Sequence, residues 1–367
     1  MSNYVTAIGL DVHARSISAC AFDPMTGEVS RARFGYDPAS VAEWALGFES
    51  PKAVYESGPT GFHLCRALRA PGVDRAVGAV SKMHRPAADR GRKNDRRDAE
   101  RLARLLACRN VVEAWVPDER TEAARDLSRA LEDARDDPRR ARQRMSKFLL
   151  RHGLVFDETT PTGRRRSNWT EAYWRWARSI EFDEADDAAA YEHYTDAVDR
   201  CGEAKRELER RVVEAASRPE RTPTVDALRP VKGVDVATAF LPAAEAGDFS
   251  RFPSAPSFAA WRGLAPSERS SGETESRGGI TRAGNSHVRR ALVEASRHVP
   301  MSTRHPKKPR PGHGVAPAAS RHAAKCNRRL QDRRDAMSQA GKRPCVANCA
   351  TAREMACRVW AIAPMVR

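Results

Sequence analysis

The sequence predicts an α/β amino-terminal domain followed by a mainly α-helical remainder. Short apolar runs alternate with helix-period segments between residues 4 and 110, the texture of strands and helices packed in layers. Beyond residue 118 that texture gives way to long, charged, helix-period stretches. Four carboxylates, Asp11, Glu56, Asp95 and Asp98, stand at the ends of apolar runs or at the start of a helical pattern, where a fold can gather them.

Residues 4–10, 16–22 and 28–34 read as a three-strand meander, with Asp23-Pro24 and Thr26-Gly27 marking one turn. A helix is expected near residues 40–48, then a strand through Ala53-Val54-Tyr55 that ends at Glu56. Residues 61–69 have helical spacing, 73–80 strand spacing, and 95–107 the pattern of an amphipathic helix. Residues 118–155 are strongly helical. Pro138 is expected to bend or break that run, because it removes an amide donor and crowds the preceding turn. An aromatic segment follows, Trp169, Tyr173, Trp174 and Trp176, whose spacing marks core packing more readily than a base-stacking platform. A second long helix, about 188–216, carries a ladder of Tyr191, Tyr194, Val198, Cys201, Lys205, Leu208 and Val212 at alternating steps of three and four. The ladder suits an antiparallel helical hairpin, a coiled-coil dimer seam, or a surface helix packed on its own domain. Residues 228–239 have the form of a helix-hairpin-helix element, with Lys232 beside its glycine. In such an element a glycine turn and a helix N-terminus offer amides to a phosphate.

A carboxylate at the end of a buried strand is costly unless it is paired or holds a cation. Asp11 and Glu56 each close an apolar run, and Asp95 and Asp98 share a helix face at i, i+3 spacing. Singly, each fits a turn or cap residue. In the order strand-Asp, strand-Glu, helix-Asp-x-x-Asp they fit an RNase H-like nuclease core. There, hard oxygen ligands would hold Mg²⁺ (or Mn²⁺) for phosphodiester chemistry.

The chain has 367 residues, 41% apolar and 31% charged, enough for two or three domains. No apolar run approaches the roughly 18 residues of a membrane helix, and no basic n-region precedes one. A cytoplasmic, nucleoid-associated protein with no membrane partner is expected. The net charge is +16, and residues 277–343 hold 17 Lys and Arg against Glu294, Asp332 and Asp335, a net of +14. So basic a block suits a polyanion, DNA or RNA, with Arg277, Arg282, Arg289 and Arg290 as candidate contacts. A disordered basic tail is the competing reading, strongest between 300 and 317. The eight cysteines include no C-x-x-C pair and read as reduced thiols. Cys345, Cys349 and Cys357 share a helix face, where packing on an alanine-rich helix outweighs zinc.

More specific text completes the picture. Gly9-Leu10-Asp11-Val12-His13, Tyr55-Glu56-Ser57-Gly58-Pro59-Thr60-Gly61 and Lys93-Asn94-Asp95-Arg96-Arg97-Asp98-Ala99 resemble the three acidic blocks of the DEDD transposases. These form the insertion sequence 110 family, which includes the Piv-type invertases. The second half is similar too, in Gly247-Asp248-Phe249-Ser250-Arg251-Phe252-Pro253, Gly263-Leu264-Ala265-Pro266-Ser267-Glu268, Ser270-Ser271-Gly272 and the block at 277–285. The resemblance covers nearly the whole chain, in order.

It implies a RuvC-like domain whose Asp11, Glu56, Asp95 and Asp98 bind metal, and a carboxy-terminal domain whose Ser271 is the nucleophile. It further implies a homo-oligomer, dimer or tetramer, that recombines element ends and target DNA under the guidance of a structured RNA. Pro138, Pro242 and Pro256 depart from the family pattern, each worth about 3 kcal/mol where it falls inside a helix. The domains expected are 1–115, RuvC-like; 116–220, a helical coiled-coil linker; 221–300, a carboxy-terminal transposase domain; and 301–367, a basic proline-rich segment with terminal helices. Two other readings stay open: a RuvC-like structure-specific nuclease, and an inactive remnant that only binds nucleic acid.

Overall fold

A computed structural model describes residues 5–83, 95–268, 276–299 and 309–366. The chain forms two compact units, Met1–Asp118 and Glu119–Arg367.

In the first unit, strands β1 (Thr6–Val12), β2 (Ser16–Phe22) and β3 (Val29–Gly35) form the meander. Helix α1 (Pro38–Leu46), strand β4 (Pro51–Glu56), helix α2 (His63–Ala67), strand β5 (Asp74–Gly78) and helix α3 (Asp95–Ala107) follow. The sheet order is β3-β2-β1-β4-β5, with β2 antiparallel to both β1 and β3, and β1, β4 and β5 parallel. Strand alternation sorts the side chains. Ile8, Leu10, Ala53, Tyr55 and Val77 join Val41 and Ala45 of α1, Leu64 of α2 and Leu68 just after it on one face. Ala7, Val54 and Ala76 meet Leu102 and Leu106 of α3 on the other. Gly9 lies on the α3 face, where a Cβ would stand 2.0 Å from the Ala99 carbonyl and 2.5 Å from the Ala103 amide nitrogen. Only glycine lets α3 sit this close to β1.

The second unit opens with α4 (Glu119–Arg151), α5 (Glu171–Arg178) and α6 (Ala185–Ala216). Early α4 residues Ala124 and Leu131 cluster with Val212, Ala215 and Ala216, while late residues Met145 and Phe148 cluster with Tyr191 and Val198. The two helices are therefore an antiparallel hairpin, and the ladder on α6 is spent within one chain. Tyr173 is buried at its tip, with Trp169, Trp174 and Trp176 packed around it. The aromatic segment is core.

Helices α7 (Thr222–Leu228), α8 (Val236–Ala246) and α9 (Ala255–Trp261) come next, then strands β6 (Pro266–Glu268) and β7 (Arg277–Ile280). Helices α10 (Ser286–Arg297), α11 (Pro317–Gln339) and α12 (Pro344–Ile362) complete the unit. Leu330 of α11 and Met355 and Val359 of α12 belong to the same apolar cluster as Phe240, Phe258 and Leu292. Segments 221–300 and 301–367, expected apart, share one core.

The prolines correct the sequence reading. Helix α4 runs unbroken through Pro138, and α8 through Pro242. Ala134, Ala141 and Met145 are buried on both sides of Pro138, so packing holds the helix across the lost hydrogen bond. Pro256 falls in the first turn of α9, where no intrahelical amide donor is needed. Among the described residues no helix is long and apolar enough to cross a membrane.

Candidate active site

Asp11 is the penultimate residue of β1 rather than the residue after it, and Glu56 is the last of β4. Both sit at the carboxyl ends of adjacent parallel strands, the position where α/β sheets present ligand sites. Alternation puts both on the face that α3 covers: Asp11 follows Ala7 and Gly9, and Glu56 follows Val54. Asp98 lies one turn into α3, one residue before Ala99, whose carbonyl the Gly9 contact pins against β1.

Arg101, one turn beyond Asp98, joins two of these acids. Its Nη2 donates to Glu56 Oε1 at 2.5 Å. Its buried Nε faces Asp98 Oδ1 at 3.9 Å, too far for a hydrogen bond. Asp11 Oδ2 lies 3.2 Å from His13 Nε2. The Asp11 and Asp98 side chains are 21% and 22% exposed, accessible to a ligand yet mostly shielded from water. The side chain of Asp95 lies outside the described residues. Among the described residues no three His, Cys, Asp or Glu side chains stand close enough to hold a metal ion. The donors are nevertheless all carboxylates, the set that a hard divalent cation prefers. One of them, the half-exposed Glu56, is paired with the largely buried Arg101. Sequence reading passed over Arg101; its i, i+3 spacing from Asp98 was the available signal.

In the second unit the residues expected to contact nucleic acid have different surroundings. Lys232 is 4% exposed and its Nζ donates to Gln331 Oε1 at 3.1 Å, so it faces the core rather than a phosphate. Gly233 takes a φ of +77°, and a Cβ there would lie 2.1 Å from the Ala295 carbonyl oxygen: the turn packs on α10. The amide of Thr238 in the first turn of α8 is taken by the Asp235 carboxylate. Arg289 donates to the Arg262 carbonyl at 2.8 Å, and Arg290 pairs with Glu132 at 2.9 Å. His287 also bonds Glu132. Asn285 caps α10 and donates to the buried Glu245, which Arg129 grips through two nitrogens at 2.8 and 3.1 Å. Arg282 differs. It is exposed and takes a left-handed φ of 57° in the loop before α10. Ser271 and the Arg277 side chain lie outside the described residues; in the chain, Ser271 falls between β6 and β7.

Comparison with known proteins assigns the class. Residues 8–153 match a family profile described as "Transposase", that of the DEDD transposases of the IS110 type. Residues 225–309 match a second, described as "Transposase IS116/IS110/IS902 family". A protein of Sinorhizobium fredii (strain NBRC 101917 / NGR234) named "Putative transposase y4qE" is 36% identical over 348 residues, spanning 93% of this chain and 82% of that protein. The "Transposase for insertion sequence element IS1533" of Leptospira borgpetersenii is 28% identical over 248 residues, 66% of this chain and 70% of its own length. The protein is thus a DNA transposase. The chain belongs to the IS110 family, and its DEDD type implies a divalent metal ion.

Proposed function

We propose that the protein cleaves and rejoins DNA for an insertion sequence through an RNase H-like, RuvC-like carboxylate site and a serine nucleophile. The observation that carries this reading is the placement of Asp11 and Glu56 at the ends of adjacent parallel strands, under the helix that supplies Asp98. Asp11, Glu56, Asp95 and Asp98 would hold Mg²⁺ or Mn²⁺ once Arg101 releases Glu56. A divalent ion, when bound there, would supply positive charge to neutralise the phosphate and favour the deprotonated nucleophile. Ser271 then attacks: its Oγ–P bond forms as the P–O bond to the departing deoxyribose breaks. The phosphoserine keeps the bond energy for rejoining without ATP. Gly272 beside Ser271 leaves room for close backbone approach to the phosphate.

Element ends and target DNA are the substrates, a structured element-encoded RNA is the guide, and the working form is a homo-oligomer in the cytoplasm. Arg277, Arg282 and the exposed Arg290 are the contacts proposed for nucleic acid. Incubating the protein with element ends, element RNA and Mg²⁺ tests the chemistry. Ser271→Ala should abolish a covalent protein–DNA adduct while RNA and DNA binding persist, and Ser270→Ala should keep the adduct. Free nicked product with no adduct in the unaltered protein would favour hydrolysis by a RuvC-like nuclease instead.

A further inference from the structure

The α4–α6 hairpin carries a cavity of about 550 Å³. Arg135, Arg139, Arg142 and Lys147 line it from α4, and Lys205 and Arg206 from α6; none of its lining residues is acidic. The linker around it is not basic: residues 116–220 hold 21 Lys and Arg against 24 Asp and Glu, a net of −3. Folding has therefore gathered six cations on one concave surface that no carboxylate lines. Among the described residues, Arg135, Arg142, Lys147 and Arg206 form no ion pair, while Arg139 and Lys205 reach Asp136 and Glu209 at 4.0 and 3.5 Å. Arg135 and Arg139, at i, i+4, and Arg139 and Arg142, at i, i+3, repel one another along one helix face. The cations are exposed, apart from the half-buried Lys205, so their repulsion is screened in water and a bound anion would relieve what remains.

Trp169 forms one wall. It holds a left-handed φ of 69°, a conformation a non-glycine residue keeps only under constraint. The Arg142 guanidinium lies 5.1 Å over its ring, which fixes one cation toward the hollow. The volume is that of a ligand site rather than a single ion's niche.

We infer that this cavity binds a run of phosphodiester backbone, a nucleic-acid site built from residues other than the carboxylates and the basic carboxy-terminal segment. The ligand class rests on the chain's membership of the transposases. A single-stranded RNA and a DNA duplex present the same phosphate chemistry, and the experiment separates them.

Arg139→Gln, Lys147→Gln and Arg206→Gln are combined in the full chain. The control combines Arg140→Gln, Arg144→Gln and Arg200→Gln, exposed cations of the same hairpin outside the cavity. Fluorescence anisotropy measures binding of a labelled RNA strand of about 20 nucleotides, and of a duplex DNA of equal length, across a salt series in EDTA. Without divalent ion the readout is independent of Asp11, Glu56 and Ser271. The cavity variant should lose roughly tenfold or more in affinity near 100 mM salt, and its log–log salt slope should flatten by about 2 for RNA. The control should match the unaltered protein. Greater loss on RNA names the RNA as occupant; greater loss on duplex names DNA. Unchanged affinity and slope on both, or an equal change in the control, overturns the inference. Circular dichroism and melting temperature should be unchanged or raised, since the substitutions relieve repulsion; a cavity variant that melts lower places these cations in the fold rather than in binding.

Discussion

Individual residues set the candidate site. Gly9 has no side chain because the backbone of α3 occupies the space a Cβ would need. Gly9→Ala should destabilise the first unit by about 1–3 kcal/mol or more through overpacking. Urea unfolding followed by circular dichroism measures it; unchanged stability would mean that α3 is free to move off β1. The places of Asp11 and Glu56 near strand ends and of Asp98 in a first helical turn were legible in the sequence because strand ends and helix starts are local signals. The nearness of Arg101 to Asp98 was written in their spacing, but its bond to Glu56 was not, because the two lie 45 positions apart in the chain. Lys232 misled for the same reason. Beside a glycine it reads as a phosphate contact, and only the packing of α11 turns it inward to Gln331.

At the scale of elements, the sequence located each strand of the sheet to within a few residues, since alternation and turn chemistry are written locally. It expected Pro138 to bend or break the helix, and the break is absent because the packing on both sides of Pro138 holds across one lost hydrogen bond. Replacing Pro138 by Ala restores that bond and should raise stability by about 1–3 kcal/mol, seen as a higher denaturation midpoint. A lower midpoint would mean that the buried ring contributes more to the hairpin than the missing bond removes. The ladder on α6 left hairpin and dimer seam open. What decides between them is the partner, and Phe148 stacks on Tyr191 with ring centroids 6.0 Å apart.

For the whole chain, charge was legible in amount and not in use. Much of the basic excess between 277 and 343 is engaged within the second unit: Arg290 with Glu132, Arg310 with Asp226, Arg329 and Arg333 with Glu354. The Arg310–Asp226 pair is buried, with side chains 9% and 3% exposed, so residue 310 belongs to the core rather than to a loose tail. Arg310→Ala leaves Asp226 with His313 alone and should cost about 3–5 kcal/mol, read as a lowered melting temperature. A melting temperature equal to that of the unaltered protein would return the segment to the status of a tail.

The central claim is that Asp11, Glu56 and Asp98 act together on a DNA phosphate with a divalent ion. The most direct test is Mg²⁺-dependent cleavage of element-end DNA, with the element's RNA, by the full chain and by Asp11→Asn, Glu56→Gln and Asp98→Asn. Each variant should retain DNA binding and lose roughly a hundredfold or more in cleavage, as the loss of a positioned metal ligand entails. Cleavage at the unaltered rate in all three variants, or undiminished cleavage in EDTA, would contradict it.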